Sequence, residues 1–564
     1  MLVDYFKRGH IMVRTVVIFT LLSLFSVIGY TQEQVIVPPD FELSSPGEEP
    51  NGAFGEAVAG IRDINNDGYP DIVTGAPLET PESGPDGAGC VYVWCGKTGD
   101  LVRILVSPNQ EENGHFGYFV AEADDVNNDN IPDILIGAPH EDPGASPDNA
   151  GRAYVFDGQT GIIIYTLVSS NEEENGYFGC SGASIPINFN GDMVIGAYGE
   201  SPGSSPDGAG RAYIVDGTDG SVSHTLVSPN EETDGKFGFS VSASYGGFSA
   251  QEVIVGAYGE SPDTSPDEAG RAYVFSAITG ALNRTFQSPN EEEGGRFGYV
   301  VLGIHDFDLD EDQHGDFVIG APWENPISTP DDAGAAYVFS GNMGTLLRTL
   351  TSPNEEENGH FSFSLGYLGD LSMDGHGDLI LGAPDENGIY SDMGRAYIFS
   401  VWNDLFYVLE STNPEPSGHF GSCVSGAQEY TWSPHQAVVG APGENPDISP
   451  VDAGRAYSYS FPYIFLSGMV ESGSLTLDWT PCPNSSTYDI YGAPNDTYFE
   501  PGLEPPLEYL LDTISGGSTV WSTTHGIGNP DQNYTFIVVG RSFYDDVTGI
   551  SNRFGEHEYG MDIP

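Results

Sequence analysis

The sequence predicts an all-β chain, a seven-bladed β-propeller of four-stranded blades followed by a β-sandwich. Three observations predict it. A Phe-Gly pair recurs at Phe54, Phe116, Phe178, Phe237 and Phe297, stands as Phe361-Ser362, and returns at Phe420, at intervals of 59 to 64 residues. A second marker, Gly-Ala-Pro or Gly-Ala-Tyr, starts at Gly75, Gly137, Gly196, Gly256, Gly320, Gly382 and Gly440. No long stretch carries a 3.6-residue apolar period, while 74 glycines, 40 prolines and 12% aromatic residues suit short strands joined by turns.

In chain order, Lys7, Arg8 and Arg14 precede an apolar run from Val16 to Ile28. This reads as a signal peptide over residues 1–29, cut after Gly29, because the run is too short to span a membrane. The expectation is a secreted or cell-surface chain with no membrane span once mature. The propeller is expected over 35–460. In its second unit the strands follow Phe116-Gly117, then run Ile134–Ile136, Ala153–Phe156 and Ile162–Val168. Their nearly continuous apolar runs predict burial on both faces, as between adjoining blades.

Each fourth strand leads into a Ser-Pro-Asn-Glu-Glu-like turn, as at Ser228-Pro-Asn230, and then the next Phe-Gly. The stretch Phe41-Glu-Leu43-Ser-Ser45-Pro46-Gly-Glu48 matches that ending, yet it stands before the first unit. Residues 35–45 are therefore expected to supply the outer strand of the last blade and close the ring.

From Phe461 the character changes. Leu475–Trp479, Tyr488–Tyr491 and Tyr534–Val539 alternate or run apolar as strands do, over about 100 residues, the size of a small sandwich. The boundaries expected are 461–564.

The balance of 17 Lys+Arg against 83 Asp+Glu gives a formal charge of −66. Such a surface repels nucleic acid and anionic lipid. Five scattered cysteines are too few for a disulfide framework, and buried free thiols are expected.

Four units carry Asp-x-(Asp/Asn/Ser)-x-Asp-x-x-x-Asp before their second strand. The first is Asp63, Asn65, Asp67 and Asp71, the second Asp125, Asn127, Asp129 and Asp133. The fifth is Asp308, Asp310, Asp312 and Asp316, and the sixth Asp370, Ser372, Asp374 and Asp378. Alternate residues of a tight loop can turn oxygens inward. The seventh position (Tyr69, Ile131, His314 and His376) offers a backbone carbonyl, and the ninth Asp both oxygens. Six or seven hard oxygens suit Ca²⁺ best. With no cation, carboxylates ~4 Å apart repel by roughly 4 kcal/mol at an effective dielectric of ~20. About four ions per chain are expected. The third, fourth and seventh units, with Asn190, Ser244 and Glu429 in that region, offer no such set.

With seven marker pairs and these loops, the chain resembles the FG-GAP repeat family, known from the seven-bladed head of integrin α subunits. The resemblance covers about residues 35–460 and also implies Ca²⁺ at the loops. The chain departs from integrins in lacking an inserted adhesion domain and the later leg domains, and is similar to the exported bacterial members. Gly549-Ile-Ser551-Asn-Arg553 resembles the closing strand of a fibronectin type III module, which implies that fold for 461–564.

Arg152, Arg211, Arg271, Arg395 and Arg455 share one position, where the first and fifth units have Cys90 and Ala335. They are expected to pair with acids of the same or a neighbouring blade. His115, His360 and His419 precede Phe and alternate with Ala53, Tyr177, Lys236 and Arg296, so they are expected to be exposed. No His-Glu-x-x-His, Gly-x-Ser-x-Gly or phosphate-binding glycine loop is present.

The function expected is a monomeric, non-enzymatic, calcium-binding extracellular binding or adhesion module. Loops such as Glu141–Gly151 would face a protein or glycan. The alternatives are an exported enzyme acting on polysaccharide or phospholipid, and a passive envelope or matrix component.

Overall fold

The computed structural model describes residues 37–461, except 143, 145, 186–190, 202, 204–205, 247–249, 262–265, 305–313, 327–329, 372–375, 401–403, 428–434 and 446–450. Beyond Phe461 it describes the backbone of seven strands between Leu466 and Ile550. The expected signal peptide lies outside the described residues. Among the described residues there is no helix.

Seven antiparallel four-stranded sheets form the blades, at 57–106, 120–167, 182–226, 237–287, 300–351, 364–409 and 423–461 with 41–43. The first six take their strands in chain order. In the seventh, Cys423–Ala427, His435–Ala441 and Arg455–Phe461 are completed by Phe41–Leu43 from the other end of the chain, with Phe41 opposite Ser458 and Leu43 opposite Ala456. Arg455 holds this strand through Glu42 at 2.9 Å, and Thr412 of the sixth blade donates to the same glutamate at 2.6 Å.

Second strands such as Ile134–Ala138 and Phe317–Ala321 are buried along their whole length, and third strands such as Arg152–Phe156 at all but their first residue. This burial on both faces is what the apolar runs demand. Each cluster of core side chains spans two blades. One joins Val73 and Val91 of the first to Phe116, Ile136 and Tyr154 of the second.

The two sequence markers meet across every seam between blades. A Cβ on Gly75 would stand 2.1 Å from the carbonyl oxygen of Gly117, and one on Gly137 2.1 Å from that of Gly179. The last seam repeats the pairing between Gly440 and Gly55, at 1.9 Å. The glycine after Phe also has a left-handed backbone, with φ of 91° at Gly117. At the sixth blade Ser362 takes this place with φ of 72°, and its hydroxyl donates to the Ala335 carbonyl at 2.7 Å. The phenylalanines have no exposure at all. Each donates its amide to the preceding blade, as Phe116 does to Ala88 and Phe54 to Ala453, both at 2.9 Å.

The Ser-Pro-Asn-Glu-Glu turns are the other half of each seam. Ser228 accepts the Asn230 amide at 3.0 Å, and the Asn230 side chain donates to the Ser261 carbonyl of the next blade at 3.3 Å. The glutamate at the fifth position of the turn accepts an amide of the next blade: Glu49 from Thr80, Glu111 from Asp142, Glu173 from Ser201, Glu232 from Ser261, Glu292 from Asn325, Glu356 from Asn387 and Glu415 from Asn445.

The rim is stitched the same way. From the outer strands Arg103, Tyr165 and Arg284 donate to the carbonyls of Gln159, Thr218 and Asn342 in the next blade, and Phe41 packs on Gly99. Near the axis, Ser240 and Ser242 accept the amides of Val301 and Gly303 at 3.0 Å, so inner edges do not present bare donors.

The repeated arginines do not all find acids. Arg211 stands 3.7 Å from Glu200, and Arg395 reaches Glu386 at 3.4 Å and Glu410 at 2.7 Å. Arg152 instead donates to the Asp142 carbonyl, and Arg271 also meets the Gln287 amide. A carbonyl that the turn leaves in reach takes one of the Arg152 donors, while its Nε stays buried without a partner. Cys90, Cys95 and Cys180 are buried free thiols, whereas Cys423 is half-buried.

Beyond the ring, strands Leu466–Glu471, Ser474–Trp479 and Val520–Thr523 form one sheet. Leu510–Ser515, Thr487–Pro494, Tyr534–Arg541 and Val547–Ile550 form another, in that order.

The seam geometry makes a direct prediction. Gly256→Ala puts a methyl 2.0 Å from the Gly298 carbonyl oxygen. It should lower unfolding free energy by at least about 2 kcal/mol in denaturant melts. Gly203→Ala, which meets nothing within 4 Å, should stay within about 0.5 kcal/mol of the parent.

Candidate cation loops and a candidate binding channel

The first two Asp-rich loops are fully described, and their carboxylates divide into two kinds. Asp71 and Asp133, the ninth positions, are completely buried at the head of the second strand. Asp71 accepts from the Ile64 amide at 3.0 Å with one oxygen and from the Gly96 amide at 3.0 Å with the other. Asp133 does the same with Val126 at 2.9 Å and Gly158 at 3.0 Å. These carboxylates fasten the loop to the turn that follows the third strand. In the third blade, which lacks the loop motif, Asp192 still accepts from Gly217 at 3.0 Å. In the fifth, Asp316 is buried and accepts from Gly341 at 2.8 Å.

The other positions lie nearer the surface. Asp63 accepts from the amides of Asn65, Asp67 and Gly68, and Asp67 from Tyr69. Asp125 and Asp129 repeat this with Asp129, Asn130 and Ile131. The carboxylates turn back on loop amides, and among the described residues no group of three or more His, Cys, Asp or Glu is set as a metal cluster.

They are nevertheless close enough to act on each other. Burial, reinforced by Asp63 and Asp67 against the two amide bonds, pushes Asp71 up to about 7. Burial likewise pushes Asp133 up to about 7, with Asp129 adding to it. A divalent cation would relieve that repulsion.

In the fifth loop, Asp308, Asp310 and Asp312 lie outside the described residues, as do Ser372 and Asp374 in the sixth. His314, Asp316, Asp370, His376 and Asp378 are described, and Asp378 begins the second strand of its blade. Residues 186–190, 247–249 and 428–434, where no ion is expected, also lie outside.

A second arrangement gathers residues to which the sequence assigns no common role. Side chains just after Phe-Gly and around Gly-Ala-Pro/Tyr form an arc of rings through blades two to six. Ring centroids lie 5.0 Å apart for His140–Tyr177 and Tyr177–Tyr198, and 5.4 Å for Tyr198–Phe239. Phe239–Tyr299 follows at 5.0 Å, Tyr299–Trp323 at 4.8 Å and Trp323–His360 at 5.0 Å.

The arc continues in charge. His360 and His419 each offer Nδ1 to Asp385, at 2.6 and 2.8 Å. Burial opposes the Asp385 charge, but the two imidazole bonds win and bring it down to about 2, while its bond to Asp385 raises His419.

Glu56 of the first blade completes the circle. It is water-accessible yet closely enclosed, and enclosure holds its carboxyl above the usual range despite His419. Burial raises Tyr118 and Tyr299, and Glu56 and Tyr258 add to both, so side chains of blades one, two, four and five lie within electrostatic reach of one another. Two cations of the chain already lie on these rings. Arg296 stands 4.5 Å from the Trp323 centroid and Lys236 5.5 Å from that of Tyr198.

Two expectations change here. His115, His360 and His419 are half-buried members of this channel, not exposed side chains. His115 packs on His140 at 4.4 Å and is brought down to about 4 by burial and that neighbour. Exchange of residue type between blades reflected different contributions to one lining. Glu141 is wholly buried in a seam, so it offers nothing to a ligand.

Residues 54–94 and 116–156 match the FG-GAP repeat family. The chain is 28% identical over 200 residues to integrin alpha-5 of Xenopus laevis, covering 33% of this chain and 18% of the relative. It is 33% identical over 162 residues to integrin alpha-6 of Gallus gallus, covering 28% and 14%. Over 351 residues it is 26% identical to phosphatidylinositol-glycan-specific phospholipase D of Bos taurus, covering 53% and 39%. The chain thus spans less than two-fifths of the length of these relatives. The chain carries FG-GAP repeats in a seven-bladed propeller similar in sequence to integrin α chains.

The division of labour among carboxylates can be tested where it is simplest. Asp192→Ala should lower unfolding free energy by about 1–2 kcal/mol in denaturant melts. The loss should be the same in chelator and in divalent cation. A loss seen only with the cation would instead place an ion in the third blade.

Proposed function

We propose that this protein is an exported, non-enzymatic binding module that presents the axial channel of a calcium-loaded propeller to an extracellular protein or glycan. The observation that carries it is the half-open aromatic lining closed by Glu56 and by Asp385 with its two imidazoles. Aromatic faces and a carboxylate together favour a basic or amphipathic group, by cation–π attraction and charge. Half-exposed Tyr, Trp and His at one mouth are the composition of recognition surfaces. The similarity to integrin α chains supports a binding role. The apolar run after Lys7, Arg8 and Arg14 supports export.

Calcium would be held by Asp63, Asn65, Asp67 and Asp71 with the Tyr69 carbonyl. In the second blade it would be held by Asp125, Asn127, Asp129 and Asp133 with the Ile131 carbonyl. The fifth and sixth loops offer Asp308, Asp310, Asp312, Asp316 and Asp370, Ser372, Asp374, Asp378, with the carbonyls of His314 and His376. A bound ion would neutralise these carboxylates and stiffen the loops. The chain's own work is to fix the ninth Asp on Gly96 or Gly158, so that each loop is anchored at one end. The two sheets beyond Phe461, of three and four strands, support a fibronectin type III-like sandwich that acts as a spacer.

A second reading rests on the bovine phospholipase D match, which covers 53% of this chain. On that reading the propeller belongs to an enzyme acting on a phospholipid or glycan.

Calorimetric titration of chelator-treated protein with Ca²⁺ should give about four ions and a higher Tm. Asp67→Ala and Asp129→Ala should each remove one ion. Absence of binding would reduce the loops to polar turns.

Arrays of cell-surface proteins and glycans should yield a calcium-dependent ligand. Glu56→Gln or Tyr299→Ala should weaken its capture about tenfold or more without changing ion number. Hydrolysis of a phospholipid or polysaccharide panel by the wild-type chain, with no ligand captured, would favour the enzymatic reading.

A further inference from the structure

One constellation recurs in all seven seams and belongs neither to the loops nor to the channel. Three or four residues after each Gly-Ala comes a glutamate: Glu79, Glu141, Glu200, Glu260, Glu324, Glu386 and Glu444. None is more than 2% exposed. Each Oε2 accepts the hydroxyl of a buried tyrosine on the third strand, namely Tyr92, Tyr154, Tyr213, Tyr273, Tyr337, Tyr397 and Tyr457. A serine of the preceding turn joins them, as Ser45 does with Tyr92 at 3.0 Å and Ser169 with Tyr213 at 3.0 Å. The glycine before each Phe-Gly keeps the cleft open. A Cβ on Gly295 would stand 2.7 Å from Glu324 Cγ, and one on Gly52 2.8 Å from Glu79 Cγ.

Six of the seven Oε1 atoms are buried with no hydrogen-bond partner. The exception is Glu386, whose Oε1 accepts from Ser352. A full negative charge with one bare oxygen, away from water, is a costly state.

The surrounding charges do little to offset it. Arg211 stands 3.7 Å from Glu200, Arg395 stands 3.4 Å from Glu386, and Arg455 acts on Glu444. In the first and fifth blades the arginine position holds Cys90 and Ala335, so Glu79 and Glu324 have no such partner. Arg152 and Arg271 act on Tyr154 and Tyr273, the partners of Glu141 and Glu260. The remaining charged groups that act on the glutamates are acids. They are Glu48 and Glu49 at Glu79, Glu111 at Glu141, and Glu173 at Glu200. Glu232, Glu292 and Glu415 face Glu260, Glu324 and Glu444.

We propose that the seam glutamates are held as neutral carboxylic acids in the folded ring, which makes the propeller a proton-tightened structure whose seams loosen in alkaline solution. A neutral carboxyl keeps its bond with tyrosine and removes the buried charge. Burial, which outweighs the hydrogen bonds to the carboxyl, pushes Glu141, Glu200 and Glu260 up to about 7 and Glu324 and Glu444 to about 8. The fold therefore binds these protons more tightly than the unfolded chain does. The stability they contribute is complete below the ordinary carboxylate value of 4.5 and is lost as pH rises through 7 to 8.

The test uses the full chain at fixed Ca²⁺ and at high salt, which screens the surface charges but not the buried ones. Between about pH 5.5 and about pH 9 its Tm should fall. Glu79→Gln and Glu324→Gln supply a neutral isostere. Each should flatten the fall and raise Tm at the alkaline end, and the double variant should do so further. Gln variants that lose stability equally at every pH would show that the glutamates are ionised in the fold. Infrared spectra give a second readout that requires no variant. The native chain should show protonated-carboxyl absorption at neutral pH that disappears in alkali, and its absence at neutral pH would overturn the proposal.

Discussion

The distance between neighbouring blades is set by backbone against backbone. At the seams the glycine of Gly-Ala-Pro or Gly-Ala-Tyr lies beneath the carbonyl of the next Phe-Gly, with no room for a single methyl. That approach brings the phenylalanine amide within reach of the previous third strand and seals its ring with no exposure. It also brings each Ser-Pro-Asn-Glu-Glu turn over its neighbour, so one short peptide motif satisfies an amide, a carbonyl and a tyrosine of the adjoining blade. Each blade could not bury its faces alone, and the close approach makes them one core.

The chemistry of the molecule follows from where that core leaves carboxylates. The ninth Asp of a loop is spent on architecture, as Asp192 shows by keeping the same bond in a blade without the motif. The first, third and fifth positions remain near the surface, where the proposed cation would meet them. At the axis, the residues that follow Phe-Gly cannot pack into a seam. They collect as a lining of mixed character, mostly rings, with one carboxylate at Glu56.

Much of this was legible in the sequence. Seven units, four strands to each and the apolar middle strands follow from two markers and a run pattern, because sterics leave few ways to satisfy them. The anchoring of the loops by their ninth Asp was not legible as such, because the two-residue period of the acids reads as a ligand set and leaves the amide partners at Gly96 and Gly158 unmarked. The seam glutamates were not read out, although they recur at one place in every unit, because a glutamate in a −66 chain reads as surface. A tyrosine follows thirteen residues later in six of the blades, and that fixed pairing was the available signal. The channel was hidden for the opposite reason. Its positions hold Glu56, Tyr118, Cys180, Phe239, Tyr299, Phe363 and Ser422, and no residue type repeats enough to mark them.

The strand that completes the seventh blade also decides how the ring meets a mechanical load. Phe41 lies opposite Ser458, so the start of the short strand and the exit of its partner at Phe461 are at the same end of the pair. Tension between the segment before Val37 and the segment after Phe461 would peel that pair open one hydrogen bond at a time. It would not shear all of them together. Glu42, gripped by Arg455 and Thr412, sits one residue inside the peeling front. Under that tension the pair would open from Phe41 inward.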